Sequence, residues 1–500
     1  MTQPFPPSLD DIDTATLERL RQTAQRRRAE GSASRKSSLI ITEVEDGDEL
    51  SFAQSRMWFL TQFDTAASAA YVVSYAARLS GSLDIRLFRR ALDCIWERHA
   101  ALRASFPLRE GTASIHLHPA ETGMPFAIRE YGMNEGDIDS ALSEELERPF
   151  DLANGPLIRV TLWQLSASHY VLLIAQHHLI SDGWSLGILV RELGLFYSAN
   201  VAGRSHDLPV LPIEYGSYAS WQRQWLDGGH GAAQLKYWRD RLSDLPELCT
   251  LPTDRPRPSR QEYEGGCLKL ALGKQLSDRL ARFASGRNAT PFMIVLTAWN
   301  ALLSRLSNLD DVIVGTPVSG RGHLDTHGLL GLFVNTLALR SDTSGDPSMR
   351  ELLHRVRKTV VESQDHQDLP FEQVVEAVNP SRHLDRSPLF QTMLIWQDQA
   401  EFRMHLPNVS CELVDTPYRK VRFDLEMTLG ASPEGIVGSL NFSLALFDED
   451  TIVRYVGYFR RLLDAIVEDS DVKLSEVSLL SADERTLLLE TFNDTAAPFP

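Results

Sequence analysis

The chain has 500 residues, of which 43% are apolar, with 25 prolines and 30 glycines, and this is the composition of a globular protein of roughly two to four domains. Its 50 Lys and Arg against 67 Asp and Glu give a net charge of −17 without a basic stripe, which argues against a nucleic-acid or membrane partner. The four cysteines stand far apart, and no window has the ~18 apolar residues of a membrane span. We therefore expect a cytoplasmic protein with reduced thiols.

The first forty residues differ from the rest of the chain. They are acidic at the start and basic at the end, where Arg26, Arg27 and Arg28 precede a Ser-rich stretch. Acids in the first turn and arginines in the last suit a helix dipole. We predict a linker or docking helix and tether over residues 1–40, and both a flexible leader and a helix that binds a neighbouring protein remain open.

Helical and strand-like patterns alternate along the remaining chain. Residues 87–106 predict an amphipathic helix, and residues 156–165 and 169–178 predict two neighbouring strands. Residues 181–200 predict a helix with Asp182 and Ser185 available to cap it. The Pro-rich residues 250–266 predict a connection between two halves of an α/β protein.

The strongest candidate site is the HHxxxDG pattern formed by His177, His178, Asp182 and Gly183. Adjacent residues of a strand point to opposite faces, so at most one of the two histidines faces a given cavity. Imidazole titrates near neutrality and can hold an amine or accept its proton. Asp182 suggests an internal ion pair, and Gly183 a tight turn into the helix.

Three other interpretations of this pattern are open on these residues alone. A pair of core histidines bonded to backbone groups is the default for any His-His sequence. A zinc site of a histidine with Asp182 lacks a third ligand and an HExxH pattern. A Ser-His-Asp hydrolase lacks the GxSxG turn around its nucleophile.

Seven further motifs accompany HHxxxDG, in a fixed order, between residues 50 and 397. They are SxAQxRLWFL at 51–60, RHxxLRxxF at 98–106, YxDYAxWQR at 215–223 with Ser217 in place of Asp, GTPVxGR at 315–321, GxFVNTLxLR at 331–340, HQDLPFEQVV at 366–375 and SPLFQ at 387–391. With these motifs the chain resembles the condensation domains of nonribosomal peptide synthetases, which share HHxxxDG with chloramphenicol acetyltransferase.

The resemblance implies an α/β fold of two chloramphenicol-acetyltransferase-like lobes, arranged as a V-shaped pseudodimer with HHxxxDG in a tunnel at their junction. We expect the N-terminal lobe at residues 49–225 and the C-terminal lobe at 226–480. Residues 481–500 resemble a linker toward a following adenylation domain. The chain is then expected to be an excised domain that starts at the natural N-terminus of a longer polypeptide.

The resemblance also implies a reaction. An upstream acyl or peptidyl thioester and a downstream aminoacyl thioester, both on carrier proteins, react to form a peptide bond. We expect no cofactor bound by the domain itself, because phosphopantetheine arms of the partner carriers hold the substrates. The expected partners are the two carriers and an adjacent adenylation domain, with the condensation domain itself a monomer. The DGWS and GLFVNTLALR sequences favour an L-configured donor, and an intact HHxxxDG argues against heterocyclisation.

Residue roles follow from the same resemblance. Asp182 is expected to pair with Arg103, a structural role. The predicted catalytic residues are His178, His177, Asp182 and Gly183, the candidates for the tunnel wall are Ser181, Trp184, Ser185, Asn335 and Thr336, and no metal is expected. His178 is either a general base or a positioner of the amine. A stand-alone acyl-CoA-dependent N- or O-acyltransferase and a non-catalytic recruitment domain are the alternative functions.

Overall fold

The computed structural model describes residues 47–129, 135–245, 251–381, 383–397, 403–416 and 419–494. The helix and tether predicted over residues 1–40 lie outside these ranges. The described helices are α1 (Phe52–Phe63), α2 (Thr65–Ala70), α3 (Ile85–Arg98), α4 (Ile138–Glu147), α5 (Gly183–Val201), α6 (Tyr215–Asp227), α7 (Ala232–Arg241), α8 (Lys274–Ser285), α9 (Pro291–Ser307), α10 (Met349–Asp365), α11 (Phe371–Val378), α12 (Glu449–Glu468) and α13 (Ala482–Leu489).

The strands of the two larger sheets are β1 (Val72–Gly81), β2 (Phe126–Arg129), β3 (Ile158–Gln164), β4 (His169–His177), β5 (Gly265–Ala271), β6 (Asp311–Val318), β7 (Asn335–Asp342), β8 (Thr392–Trp396), β9 (Val409–Leu413), β10 (Leu425–Ser432) and β11 (Gly435–Ser443). The first sheet has the order β9-β1-β4-β3-β2, and the second has the order β7-β6-β8-β10-β11-β5. Two short antiparallel pairs of two-residue strands lie outside these sheets.

Each sheet supports its own hydrophobic core. In the N-terminal lobe, the central strand β4 is buried from Tyr170 to His177. In the C-terminal lobe, α9 is buried along most of its length against β6 and α12. A strand or helix that is apolar on all sides is expected where both faces are covered.

The predicted C-terminal lobe at residues 226–480 does not lie entirely in one lobe. Strand β9 comes late in the chain yet pairs antiparallel with β1, so residues 409–413 extend the sheet of the N-terminal lobe. Leu329, Leu330 and Phe333 also pack into the N-terminal core. Two segments of the predicted C-terminal lobe therefore cross to the other lobe, and one of them, β9, covers the side of β1 that would otherwise be an open sheet edge.

The predicted linker at residues 481–500 begins as the helix α13. Its residue Glu484 accepts a hydrogen bond at 2.9 Å from the hydroxyl of Tyr458 on α12. The helix is therefore attached to the C-terminal lobe. Within the described ranges, no helix has the length and apolarity needed to span a membrane.

Candidate functional site

The HHxxxDG turn connects the end of β4 to the start of α5. His177 is the last residue of β4 and is paired with Val72 of β1. The chain then makes one 3-10 turn over His178–Ile180, and Asp182 caps α5 by accepting a hydrogen bond from the backbone N–H of Ser185. His178 therefore follows the strand rather than lying on it.

His177 points into the N-terminal lobe. Its Nδ1 accepts a hydrogen bond from the backbone N–H of Leu179 at 3.2 Å, its Nε2 lies 3.4 Å from the Ser68 hydroxyl, and its ring meets Phe150 edge-on. Burial, followed by the neighbouring His178, lowers the pKa of His177 to about 3. The side chain is thus a neutral, enclosed group that holds the turn together.

His178 points into a cavity between the lobes. Its Nδ1 lies 2.7 Å from the backbone oxygen of Ser181, so this nitrogen is the donor and Nε2 keeps its lone pair. The ring meets Tyr71 edge-on with centroids 6.4 Å apart. Burial, and after it the positive charge of Arg422, lowers the pKa of His178 to about 4. His178 is therefore a neutral imidazole at physiological pH.

We call the space around His178 the reaction cavity. Its volume is about 100 Å³. The lining residues come from both lobes and are Ala53, Arg56, Met57, Leu60, Tyr71, His178, Leu332, Val334, Asn335, Thr336, Phe371, Glu372, Phe390, Met393, Arg422 and Phe423.

Asp182 joins the HHxxxDG turn to the segments that cross from the C-terminal half of the chain. Its Oδ2 accepts backbone hydrogen bonds from Phe333 at 2.9 Å and Val334 at 3.1 Å. Its Oδ1 lies 3.3 Å from Nη2 of Arg321, and both side chains are buried. Since burial lowers the pKa of Arg321 while Asp182 raises it, the carboxylate stabilises the enclosed guanidinium.

The predicted pairing of Asp182 with Arg103 is wrong. Nη1 of Arg103 donates instead to the backbone oxygen of His118 at 3.0 Å, within the N-terminal lobe. Arg321 takes the expected place, since its Nη2 also donates to the Ser185 hydroxyl and its Nη1 to the backbone oxygens of Thr326 and Leu329. A buried carboxylate needs a cation, and the one that reaches it is the last residue of the GTPVxGR motif.

Two of the predicted tunnel residues, Trp184 and Ser185, are hydrogen-bonded to the segment that precedes β7, and a third, Ser181, contacts His178. The Ser185 hydroxyl donates to the backbone oxygen of Gly331 at 2.9 Å. The indole N–H of Trp184 donates to the backbone oxygen of His327 at 3.2 Å. Ser181 is fully buried and accepts the His178 hydrogen bond through its backbone oxygen. None of these three is among the residues that line the reaction cavity.

Asn335 and Thr336, two of the candidates for the tunnel wall, both line the reaction cavity. The amide of Asn335 is held in a hydrogen-bonded network. Its Nδ2 donates to the backbone oxygens of Gln367 and Leu369 at 2.8 Å each, and its Oδ1 accepts from the backbone N–H of Phe371 at 3.0 Å. Asn335 therefore fixes the HQDLPFE segment against β7.

Gly183 is the first residue of α5 and does not have the positive φ that demands glycine, so the turn into the helix does not itself require a glycine at this position. A Cβ at this position would meet only Nε2 of Gln397, at 3.5 Å. Gly183 lines a second space of about 600 Å³, which we call the rear cavity. The absence of a side chain therefore keeps this space open beside the HHxxxDG turn.

A third space, the front cavity, has a volume of about 540 Å³. It adjoins the reaction cavity, because the two share Ala53, Leu332, Val334, Asn335 and Glu372. Its wall includes Trp221 and Trp225 of the YxDYAxWQR region and the HQDLPFE residues from His366 to Asp368. The reaction cavity, which adjoins the front cavity, thus contacts His178, and the rear cavity contacts Gly183.

Two residues that line the reaction cavity were not predicted from the sequence. Arg422 and Tyr71 lie outside all the motifs, and the guanidinium carbon of Arg422 lies 5.6 Å from the centre of the Tyr71 ring. Arg422 belongs to a connection that precedes β10, and no local pattern indicates that it reaches the HHxxxDG turn. Among the described residues, no cluster of three or more His, Cys, Asp or Glu side chains could bind a metal ion.

Comparisons with known proteins agree with these motifs. Residues 44–489 match the family model described as the condensation domain. The chain is 42% identical over 456 residues to malpibaldin synthetase of Mortierella alpina, covering 90% of this chain and 8% of that protein. It is 39% identical to a linear gramicidin synthase of Brevibacillus parabrevis, covering 90% of this chain and 9% of that protein. The chain therefore spans less than a tenth of these two relatives.

Solved structures have the same fold. The X-domain from teicoplanin biosynthesis is 28% identical, with a TM-score of 0.81 over 89% of this chain and all of that chain. A four-domain nonribosomal peptide synthetase bound to AMP and glycine is 23% identical, with a TM-score of 0.78 over 88% of this chain and 34% of that one. The predicted fold class and family are confirmed, and the chain belongs to the condensation-domain family of nonribosomal peptide synthetases.

Proposed function

We propose that this domain forms a peptide bond between an upstream acyl or peptidyl thioester and a downstream aminoacyl thioester, each held on the phosphopantetheine arm of a carrier protein. The observation that carries the proposal is the state of His178. Its Nδ1 is bonded to Ser181, so its Nε2 lone pair is the free hydrogen-bonding site of a neutral ring that lines the reaction cavity.

In the reaction, the uncharged α-amine of the aminoacyl substrate attacks the thioester carbonyl carbon. A C–N bond forms, a tetrahedral oxyanion develops, and the C–S bond breaks as the oxyanion collapses. The proton of the new ammonium ends on the leaving thiolate, so the products are an amide on the downstream carrier and a free thiol upstream. The step needs no further reactant.

His178 acts in this scheme as a positioner of the amine. A general base is most effective when its pKa is near the working pH, and a pKa of about 4 makes His178 a weak base. A neutral imidazole is nevertheless a good hydrogen-bond acceptor for an N–H group. Holding two tethered reactants in the attack geometry can itself supply a large part of a rate enhancement.

The two larger cavities provide the routes for the two arms. The front cavity leads to His178, so we assign it to the substrate that carries the amine. The rear cavity reaches the HHxxxDG turn at Gly183, and we assign it to the thioester donor, with an L-configured donor residue. The partners of the domain are then two carrier proteins, with an adenylation domain following in the same protein. The protein is proposed to be cytoplasmic and the domain monomeric.

An assay with two loaded carriers tests this function. One carrier holds an acyl or L-aminoacyl thioester and the other an aminoacyl thioester, and the amide on the downstream carrier is measured by intact-protein mass spectrometry. The proposal expects amide only when both carriers are loaded. Equal product from acyl-CoA and a free amine would instead identify a stand-alone acyltransferase. No product with any pair of carriers would favour a recruitment domain.

A further inference from the structure

Arg422 brings a positive charge to the reaction cavity from the connection that precedes β10. Its guanidinium carbon lies 5.6 Å from the centre of the Tyr71 ring. The His178 ring meets the same Tyr71 ring edge-on, with centroids 6.4 Å apart, and all three side chains line the one small space. The His178 imidazole and the Arg422 cation therefore share an aromatic neighbour in the cavity wall.

The charge of Arg422 is the one that the cavity wall leaves over. The lining side chains that can carry a charge are Arg56, Tyr71, His178, Glu372 and Arg422. Arg56 and Glu372 form an ion pair, with Nη1 3.4 Å from Oε1, so their charges offset each other. His178 is neutral at physiological pH, and a phenol carries no charge there. The lining thus has one positive charge in excess.

Two carboxylates act on the site from behind the cavity wall. Oε2 of Glu426 is 3.9 Å from Nη2 of Arg422, while its Oε1 accepts the backbone N–H groups of Arg422 and Phe423. Asp182 is engaged by the buried guanidinium of Arg321. Neither carboxylate is among the residues that line the reaction cavity. Both therefore hold the protein in place and offer no oxygen to a group inside the cavity.

The His178 ring shows what this excess charge does to a basic nitrogen. Burial lowers the pKa of His178 most, and the positive charge of Arg422 lowers it further, to about 4, whereas Asp182 acts in the opposite direction. A like charge within about 4–6 Å disfavours the charged form of any titratable group. An ammonium ion beside the same ring would meet the same charge. The cavity is therefore better suited to an uncharged amine than to an ammonium.

The acceptor amine has to lose a proton before it can attack. An α-amino group has a pKa of about 7.7–8 in water, so at neutral pH most of it is an ammonium without a free lone pair. His178, with a pKa of about 4, is too weak a base to take that proton. The front cavity has the carboxylates of Asp365 and Asp368 in its wall, which suit an ammonium. The change of charge thus falls between the two cavities.

We propose that Arg422 keeps the acceptor α-amine uncharged in the reaction cavity, so that the amine reaches His178 with its lone pair free to attack the thioester. The ammonium releases its proton to solvent as it passes from the front cavity, and the uncharged amine then donates an N–H to Nε2 of His178. No other bond changes in this step. The inference rests on the proposed function, because it assumes that His178 holds the acceptor amine.

The test follows single-turnover amide formation from about pH 5.5 to about pH 9, with both carriers loaded and a glycyl thioester as the acceptor. The wild-type rate is expected to rise with pH and to level off once the bound amine is uncharged. Arg422→Gln is expected to move this rise upward by about 1 pH unit, which slows the reaction about 10-fold below the midpoint and spares the rate at high pH. Arg422→Lys keeps the charge and is expected to stay close to wild type.

An aminooxyacetyl thioester separates the charge of the amine from its position. Its oxyamine nitrogen is weakly basic and carries no charge over this pH range. The ratio of the Arg422→Gln rate to the wild-type rate is therefore expected to stay near one with this acceptor at each pH. A loss of packing at Arg422, or protonation of His178 in the variant, would slow both acceptors alike.

Lys420→Gln is the matched control. Lys420 stands two residues earlier in the same connection, its ammonium pairs with Glu264, and it does not line the reaction cavity. The same loss of one positive charge there is expected to leave the pH profile unchanged. Melting temperatures of all variants are measured in parallel.

Three results would overturn the role of Arg422 while leaving the proposed function intact. The first is an Arg422→Gln profile that coincides with wild type, and the second is an equal shift in Lys420→Gln. The third is a variant that slows the aminooxyacetyl acceptor as much as the glycyl acceptor. A wild-type domain that forms no amide with any acceptor would instead contradict the proposed function.

Discussion

Arg321 and Asp182 form a buried ion pair across 139 residues of sequence, with Nη2 of Arg321 3.3 Å from Oδ1 of Asp182. The carboxylate also receives three backbone N–H groups, from Ser185, Phe333 and Val334. One side chain thus fixes the helix that follows HHxxxDG and the segment that leads into β7. The position of His178 relative to the reaction cavity depends on this junction.

Because both charges are buried, we expect Asp182 and Arg321 to be strongly coupled in their contributions to the free energy of unfolding. Asp182→Ala and Arg321→Ala are each expected to lower the free energy of unfolding by about 3–5 kcal/mol, since each leaves a buried charge without its partner. The double variant should cost much less than the sum. Arg103 and Asp182 share no hydrogen bond, so the corresponding pair of substitutions should be additive within about 0.5 kcal/mol.

Urea denaturation of the wild type, the two single variants and the double variant of each cycle measures these couplings. Additive costs for Asp182 and Arg321 would mean that the pair does not form. A coupling between Arg103 and Asp182 as large as that of the Arg321 pair would restore the original assignment of Arg103.

The low pKa of His177 in the folded state predicts that the free energy of unfolding decreases in acid. His177 has a pKa of about 3 when folded and about 6.5 in an unfolded chain. Between these values the unfolded state binds a proton that the folded state does not, so stability falls as the pH decreases from 6.5 toward 3. His177 alone contributes up to about 1.4 kcal/mol per pH unit.

The comparison of wild type with His177→Gln isolates that contribution. Denaturant unfolding at half-unit steps from pH 7 to pH 4 should show a shallower pH dependence in the variant, even if the variant is less stable at pH 7. Parallel curves for the two proteins would show that His177 binds protons when folded.

We expect the positive charge of Arg422 to change the pKa of His178 measurably. Its positive charge disfavours the protonated form of His178, so Arg422→Gln should raise the pKa of His178 above about 4. An NMR titration of the imidazole in labelled protein follows this change directly, and the signal that disappears in His178→Gln identifies His178 among the 14 histidines. An unchanged or lower pKa in Arg422→Gln would remove Arg422 from the electrostatics of the site.

Gly183 is expected to tolerate alanine. It begins α5 with an ordinary backbone conformation, and the nearest atom to an added Cβ is 3.5 Å away. Gly183→Ala should therefore change the unfolding free energy by less than about 1 kcal/mol, within the range of helix propensities. The larger Gly183→Leu is expected to fill part of the rear cavity and slow amide formation while the melting temperature is kept. Unchanged amide formation in Gly183→Leu would exclude the route past Gly183.

Sequence patterns captured the parts of this domain that depend on neighbouring residues. The apolar run of β4 and the cap that Asp182 provides for α5 depend on neighbouring residues, and the order of the motifs identified the family. His178 lies in the 3-10 turn after β4, so the opposite facing of strand neighbours does not account for its direction. The crossing of β9 into the other sheet is a contact between distant segments, and no local pattern records it. The partner of Asp182 was missed for the same reason, because several arginines stand in motifs and only the folded chain selects Arg321.

His178→Ala tests most directly whether His178 positions the amine for peptide-bond formation. Wild type and variant are compared in a single turnover with both carriers loaded, with melting temperatures measured in parallel. The positioning role of His178 predicts that His178→Ala slows amide formation about 100-fold or more, because a shift of about 1 Å in a positioned reactant can cost about 100-fold in rate, while the melting temperature is nearly unchanged. Amide formation at the wild-type rate by a folded His178→Ala domain would contradict it.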